Sequence, residues 1–385
     1  MKLFKSLLIA PATLGLLTPM SAISSEVDFQ AISNYSDAEY EIDSNSFNQL
    51  STSNTLLSGG EGLVESGSPD SFSSTTSASF SAEAILGGAT TEDRTILTDD
   101  AAMAVEAVSF EYQYQIGLTS SFTGEDSLDV TIDVGGAGPV SGTSATNVFA
   151  GFDATEDAMF VDGITYTFPV GGTTMMVGDS TDISALYTGA CAYGGFADYI
   201  TDCGTGNSVG LGGAGATVAA SYAFDGGFSL AGGVSSPNIE VLGEQNDFFG
   251  VEAAYTADDF GVSLAFSDVE TSTYVGVNGF YAFDFATISA GYESEDVDDE
   301  AADDASAFFI GLTKEVGPGT AEVGYASTDM ANTFTVGAPD ETGYLYELSY
   351  AYPVNDALTI TPGVAIMDVE AGETTFAAVK ASFSF

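Results

Sequence analysis

The stretch Thr374–Phe385 reads TTFAAVKASFSF, and it alternates. Ala377, Val379, Ala381, Phe383 and Phe385 fall on one face of an extended chain; Ala378, Lys380, Ser382 and Ser384 fall on the other. Strand side chains point to opposite sides with a period of two, so one face is apolar and the other polar or small. Nothing polar follows the aromatic Phe385. An open apolar edge strand templates pairing with other chains, and closing a barrel removes the edge. The stretch is therefore read as the last strand of a closed barrel, with a hairpin strand of a secreted sandwich as the alternative.

The same period runs upstream. Val108, Phe110, Tyr112, Tyr114, Ile116 and Leu118 share one face, opposite Ser109, Glu111, Gln113, Gln115 and Gly117. At about 3.3 Å per residue, that run is long enough to cross an outer membrane at a tilt. Tyr344, Tyr346, Leu348, Tyr350 and Tyr352 repeat the pattern, as do Leu128, Val130, Ile132 and Val134. Strands are expected near 72–88, 106–121, 127–135, 159–169, 173–178, 216–224, 227–234, 247–256, 260–268, 273–282, 286–293, 306–315, 319–327, 342–352, 356–366 and 374–385, sixteen in all. Most prolines fall in connections or at strand ends, where a missing N–H is harmless; Pro362 lies inside an expected strand.

The connections alternate in length. Short turns read FTGED, PVGGTT, FDGG, TADD, FDF, VGPG and PVND, and the intervening connections are longer, apart from a short one near 269–272. Short turns on one side and long loops on the other mark an up-and-down transmembrane β-barrel, and an even strand number puts both ends of it on the periplasmic side. The fold class is therefore all-β, an antiparallel barrel of about sixteen strands spanning 71–385. No fixed repeat length points to a solenoid.

The first residues carry Lys2 and Lys5, an apolar run from Leu7 to Leu17, and small residues at Ala22 and Ser24. This is read as a secretory signal peptide, 1–24, and excluded from the fold. Residues 25–70 are polar and are expected to form a periplasmic N-terminal segment. Beyond residue 24 only Arg94, Lys314 and Lys380 are basic, against 56 acids. Nucleic acid is excluded as a partner, because its phosphates need Lys or Arg. The 27 Phe and 18 Tyr argue against disorder.

With no His in the chain, Ser-His-Asp, Cys-His and His-ligated metal sites cannot be built, and no P-loop occurs. No catalytic, cofactor or metal site is expected, and a barrel-embedded hydrolase is the weaker enzyme alternative. Cys191 and Cys203 lie in the longest connection, 179–215, and are expected to form a disulfide, as suits an exported chain. The run ESEDVDDEAADD, Glu293 to Asp304, is read as a solvated loop, with Ca²⁺ or Mg²⁺ binding as the alternative.

The openings MKLFKSLLIAPATLGLL and SNYSDAEYEIDSNSFNQL, with SFSSTTSASFSAEAILGG, resemble the porins of marine unicellular cyanobacteria, a carbohydrate-selective and iron-uptake grouping. This chain differs from that pattern in leaving no room for an S-layer-homology domain before the barrel. The resemblance implies a barrel held in outer-membrane lipid and inserted by the barrel assembly machinery, which reads the terminal aromatics Phe383 and Phe385. A resemblance in architecture to the sixteen-strand general porins implies a homotrimer, and a third long loop folded into the lumen. Asp179, Asp182, Asp198 and Asp202 would then stand at the constriction, with a surface flap as the alternative. The polar strand faces would project Glu111, Asp129, Asp133, Glu252, Glu322, Glu347 and Lys380 into the pore. Rings of acids favour cations, so the expected activity is passive, cation-preferring diffusion of inorganic cations and small hydrophilic solutes. The competing reading is an acidic secreted or cell-surface structural protein without a pore.

Overall fold

A computed structural model describes residues 76–91, 108–136, 151–152, 155, 157–209, 215–236, 247–269, 272–297, 304–330, 342–369 and 372–384. The signal peptide, the segment 25–70, Arg94, Phe385 and residues 298–303 of the acidic run lie outside the described residues.

Sixteen strands close into one antiparallel barrel. They are β1 (Thr76–Thr91), β2 (Val108–Ser120), β3 (Ser127–Gly135), β4 (Phe160–Val170), β5 (Thr173–Thr181), β6 (Gly215–Ala223), β7 (Phe228–Ser236) and β8 (Phe248–Thr256). They continue as β9 (Phe260–Val269), β10 (Ser272–Phe283), β11 (Ala286–Val297), β12 (Ala305–Val316), β13 (Gly319–Thr328), β14 (Gly343–Asn355), β15 (Leu358–Val369) and β16 (Gly372–Ser384). Each strand pairs with its neighbours in sequence, and β16 closes the ring on β1 with Glu83 opposite Ser382 and Ile85 opposite Lys380. The edge that the last strand would otherwise expose is thus consumed.

Alternation sets the two faces. On β14, Tyr344, Tyr346, Leu348 and Tyr352 are exposed outward, while Leu345, Glu347 and Ser349 are buried inward. The apolar outer face suits lipid. Aromatic pairs gather beside the short turns: Phe122 with Tyr166, Tyr222 with Phe224, Phe228 with Tyr255, and Tyr281 with Phe283. Amphipathic rings at this level form the girdle that seats a barrel at a membrane interface. Among the described residues, no helix is long and apolar enough to cross a membrane.

Pro362 does stand inside β15. Its partner on β16 is Val379, but the β14 ladder skips from Ser349–Gly363 to Tyr352–Ile360. The break falls where proline has no N–H to give. β5 runs to Thr181, three residues past the expected end, because Asp179 still pairs with Ile164. Asp179 is therefore corrected from the third loop to the strand, on the outer face it shares with Val177 and Ile164.

Candidate functional site

The connection after β5 does not stay at the rim. Asp182 accepts from the Ser184 amide at 2.7 Å and caps a short helical turn, Ile183–Leu186. Ile183 packs with Met176 of β5 and Ala219 of β6, and Leu186 and Tyr187 join them. From there the chain lies along the inner wall.

An irregular segment brings its backbone amides with it, and these need acceptors once water is excluded. The wall supplies them. Thr188 and Gly189 donate to Glu252 of β8 at 2.7 and 2.9 Å. Ala190 donates to Asn278 of β10 at 3.1 Å, and Ala192 to Ser289 of β11 at 3.2 Å. Gly194 donates to Glu322 of β13 at 3.1 Å. Phe196 and Ala197 donate to the two oxygens of Glu347 of β14 at 2.8 and 2.9 Å. The chain then turns back through Asp198–Gly204, and the Asn207 amide group and the Ser208 N–H both donate to Glu293 of β11. Each of these carboxylates takes charge-assisted bonds from the loop, stronger than neutral ones.

Shape complements the polar seat. Inward-facing glycines on successive strands leave room for the loop. A Cβ at Gly324 of β13 would stand 2.5 Å from the Tyr193 hydroxyl, and one at Gly311 of β12 would stand 2.5 Å from the Tyr193 ring. At Gly363 of β15 it would meet the Phe196 ring at 2.5 Å. Gly276 and Gly291 make the same space for Ser208 and for the Cys203 carbonyl. Tyr193 then lies 5.0 Å from Phe309, and Phe196 stacks 6.0 Å from Phe376. These rings join Ile85, Ile200, Leu345 and Met367 in one buried cluster inside the barrel. Each such side chain contributes roughly 1.5–3 kcal/mol by leaving water.

Cys191 and Cys203 are joined, with Cα atoms 5.7 Å apart, closing the segment that carries Tyr193, Phe196 and Ile200. Burial first, and then the Glu347 charge and its hydrogen bond, push the Tyr193 phenol well above its ordinary value. Burial and the charges of Glu252 and Asp182 do the same to Tyr187. Tyr193 therefore stays a donor at any physiological pH.

The residues singled out from sequence separate into two groups. Glu252, Glu322 and Glu347 are engaged by the loop. Glu111 and Asp133 lie buried on β2 and β3, and Asp129 accepts from Thr119 and Ser127 at 2.6 Å each. Lys380 faces Glu83 of β1 at 3.8 Å, and Ser382 donates to the same Glu83 oxygen at 2.7 Å. Asp202 is exposed at a left-handed turn, φ 54°, and Asp198 lies in the helical turn that reverses the loop. Phe383 pairs with Ala82 on the closing seam. Sequence reasoning left out Glu83, Asn278, Ser289 and the glycine seat. It took Glu293 as both the last residue of a strand and the first of a solvated acidic loop, but β11 extends to Val297 and turns Glu293 inward. The signal for Glu293 was its two-residue spacing from Gly291, on the same face.

A family profile described as Gram-negative porin matches residues 171–372, just over half of the chain. Among solved structures, a loop L8 deletion mutant of OmpT from Vibrio cholerae is 16% identical, with a TM-score of 0.56, covering 81% of this chain and 100% of that one. An anion-selective porin from Comamonas acidovorans is 13% identical, with a TM-score of 0.56, covering 80% and 100%. At such identities the likeness concerns the fold. No curated protein matches the chain in sequence. A closed sixteen-strand barrel with a loop seated in its lumen, and the family match across β5 to β15, lead to one conclusion: the chain belongs to the Gram-negative porin family, an outer-membrane channel for passive diffusion rather than an enzyme.

Proposed function

We propose that this channel prefers cations, and that small hydrophilic solutes and inorganic cations pass along the wall that the third loop leaves open. The single observation that carries this reading is the charge of the inner wall. Among the described residues the inner wall carries one cation, Lys380, against the part-exposed Glu83 and Asp129 and the buried Glu111 and Asp133 on the neighbouring strands. Lys314, the other described cation, follows the inward Thr313, which bonds Glu322, and so points outward. Rings of carboxylates raise the local concentration of cations and exclude anions. The Comamonas protein is anion-selective on a similar barrel, so wall side chains rather than the fold set the sign. A homotrimer, insertion by the barrel assembly machinery through Phe383 and Phe385, and kinship with cyanobacterial porins extend this proposal.

Planar-bilayer reversal potentials under a KCl gradient test it. A potential favouring K⁺ is expected. A potential near zero overturns the cation preference while leaving the channel in place. Unheated gel migration at three times the subunit mass checks the trimer.

A further inference from the structure

Along the inner face of β16, Thr374, Phe376 and Ala378 are buried, with Phe376 stacked on Phe196 of the third loop, and Lys380 is the first residue to emerge, its side chain 23% exposed. The inner face of β1 repeats the sequence: Ala89 and Ile85 are buried, and Glu83 emerges at 35%. Both strands therefore leave the seat of the loop at the same level, on its periplasmic side, and the two charged residues stand together on that lip. Lys380 is set between Thr361 of β15 and the apolar Ile85, so the carboxylate facing it is Glu83, held in turn by Ser382.

We propose that Lys380 is the residue that admits anions to this pore, and that Glu83 limits how many. The inference deepens the proposed acidic lumen and rests on it for the sign of the background. An anion crossing a carboxylate-lined lumen is repelled except where a cation faces the water. Among the described residues Lys380 is that point, and at 3.8 Å from Glu83 its ammonium is only partly neutralised. Removing the lysine leaves a lip of one sign. Removing Glu83 releases the whole charge of the lysine into the path.

The test compares the K⁺/Cl⁻ permeability ratio of the protein with those of K380Q, K380R, E83Q and D129N. K380Q should raise the ratio by about twofold or more, since one charge at close range is worth at least that in local ion concentration. K380R should leave it unchanged. E83Q should lower the ratio further than D129N, although both remove one negative charge. A K380Q ratio equal to the wild-type value, or an E83Q shift no larger than that of D129N, overturns the proposal. Heat-modifiable migration confirms that each variant has folded before it is read; where K380Q fails to fold, the E83Q and D129N comparison decides. A wild-type reversal near zero would sink the acidic-lumen reading alone, because the two lip variants would still have to move the ratio in opposite directions.

Discussion

The hydroxyl of Tyr193 donates to Glu347 at 2.6 Å across a gap of 154 residues in sequence. Phe196 and Ala197 give their amides to the same carboxylate. One buried side chain thus answers three donors on the loop. Glu347→Ala leaves all three without an acceptor, and each buried unsatisfied group costs about 1–3 kcal/mol. The barrel ladder is untouched by the change. The expected outcome is a folded channel whose tip segment has left the wall, read as larger and noisier single-channel currents. Glu347→Gln keeps one acceptor oxygen and should fall between the two.

The glycine seat makes a second, steric prediction. Gly324→Ala would put a methyl group 2.5 Å from the Tyr193 hydroxyl and 3.0 Å from the Ile200 side chain. Both neighbours are buried, so neither has open space to yield into, and overpacking of this kind costs about 1–3 kcal/mol. Added protease should cut the 191–203 segment faster in this variant, while heat-modifiable migration of the barrel stays unchanged. An unaltered cutting rate would mean that Tyr193 can move without releasing the loop.

The barrel was legible because it is written in short-range periodicity. β3 at Ser127–Gly135 can be read off LDVTIDV alone, and the alternation of short and long connections supplies the topology. The inward parity of Glu252 and Glu347 follows from the same period. What they hold does not, because most of the partners are backbone amides, 63 to 151 residues away, and no side-chain pattern marks a backbone donor. The glycine seat was hidden for a related reason. Gly311 and Gly324 are paired across β12 and β13, and Gly363 lies on the same inner face of β15 opposite Ser349, and this emerges only after the register is known. Asp179 was misplaced because a strand end is set by hydrogen bonding to Ile164 rather than by hydrophobic pattern.

The bridge between Cys191 and Cys203 closes a loop of 12 residues in separation. In the chain-entropy picture, a closure of this size limits the open loop by about 3 kcal/mol. None of this bears on strand pairing. A Cys191→Ser, Cys203→Ser double variant should therefore keep its barrel stability and lose definition in the lumen. The expected readout is an unchanged thermal transition with broader open-channel current noise. Reducing the wild-type protein should reproduce the noise, and leave the double variant unaffected.

Asp126 gives a prediction about the periplasmic turn between β2 and β3. Its Oδ1 accepts from the Ser121 hydroxyl at 2.8 Å, the Phe122 and Thr123 amides at 3.0 and 2.7 Å, and the Thr123 hydroxyl at 2.8 Å. Its Oδ2 accepts from Tyr166 of β4 at 2.7 Å. Burial alone would raise this carboxyl, but the donors from Thr123, Tyr166 and Ser121 outweigh it and hold it well below the usual carboxylate range. A lowered folded value means that the unfolded chain binds the proton first. The turn's contribution is therefore complete above the unfolded carboxylate value of about 4, and is lost as pH falls through the lower folded value. Asp126→Asn keeps the shape of the side chain and removes its charge. The variant should unfold more readily than wild type at neutral pH, by a margin that is constant down to about pH 4 and shrinks below it. A margin that does not change with acidity would assign the turn's stability to shape and neutral hydrogen bonds, with no part played by the carboxylate charge.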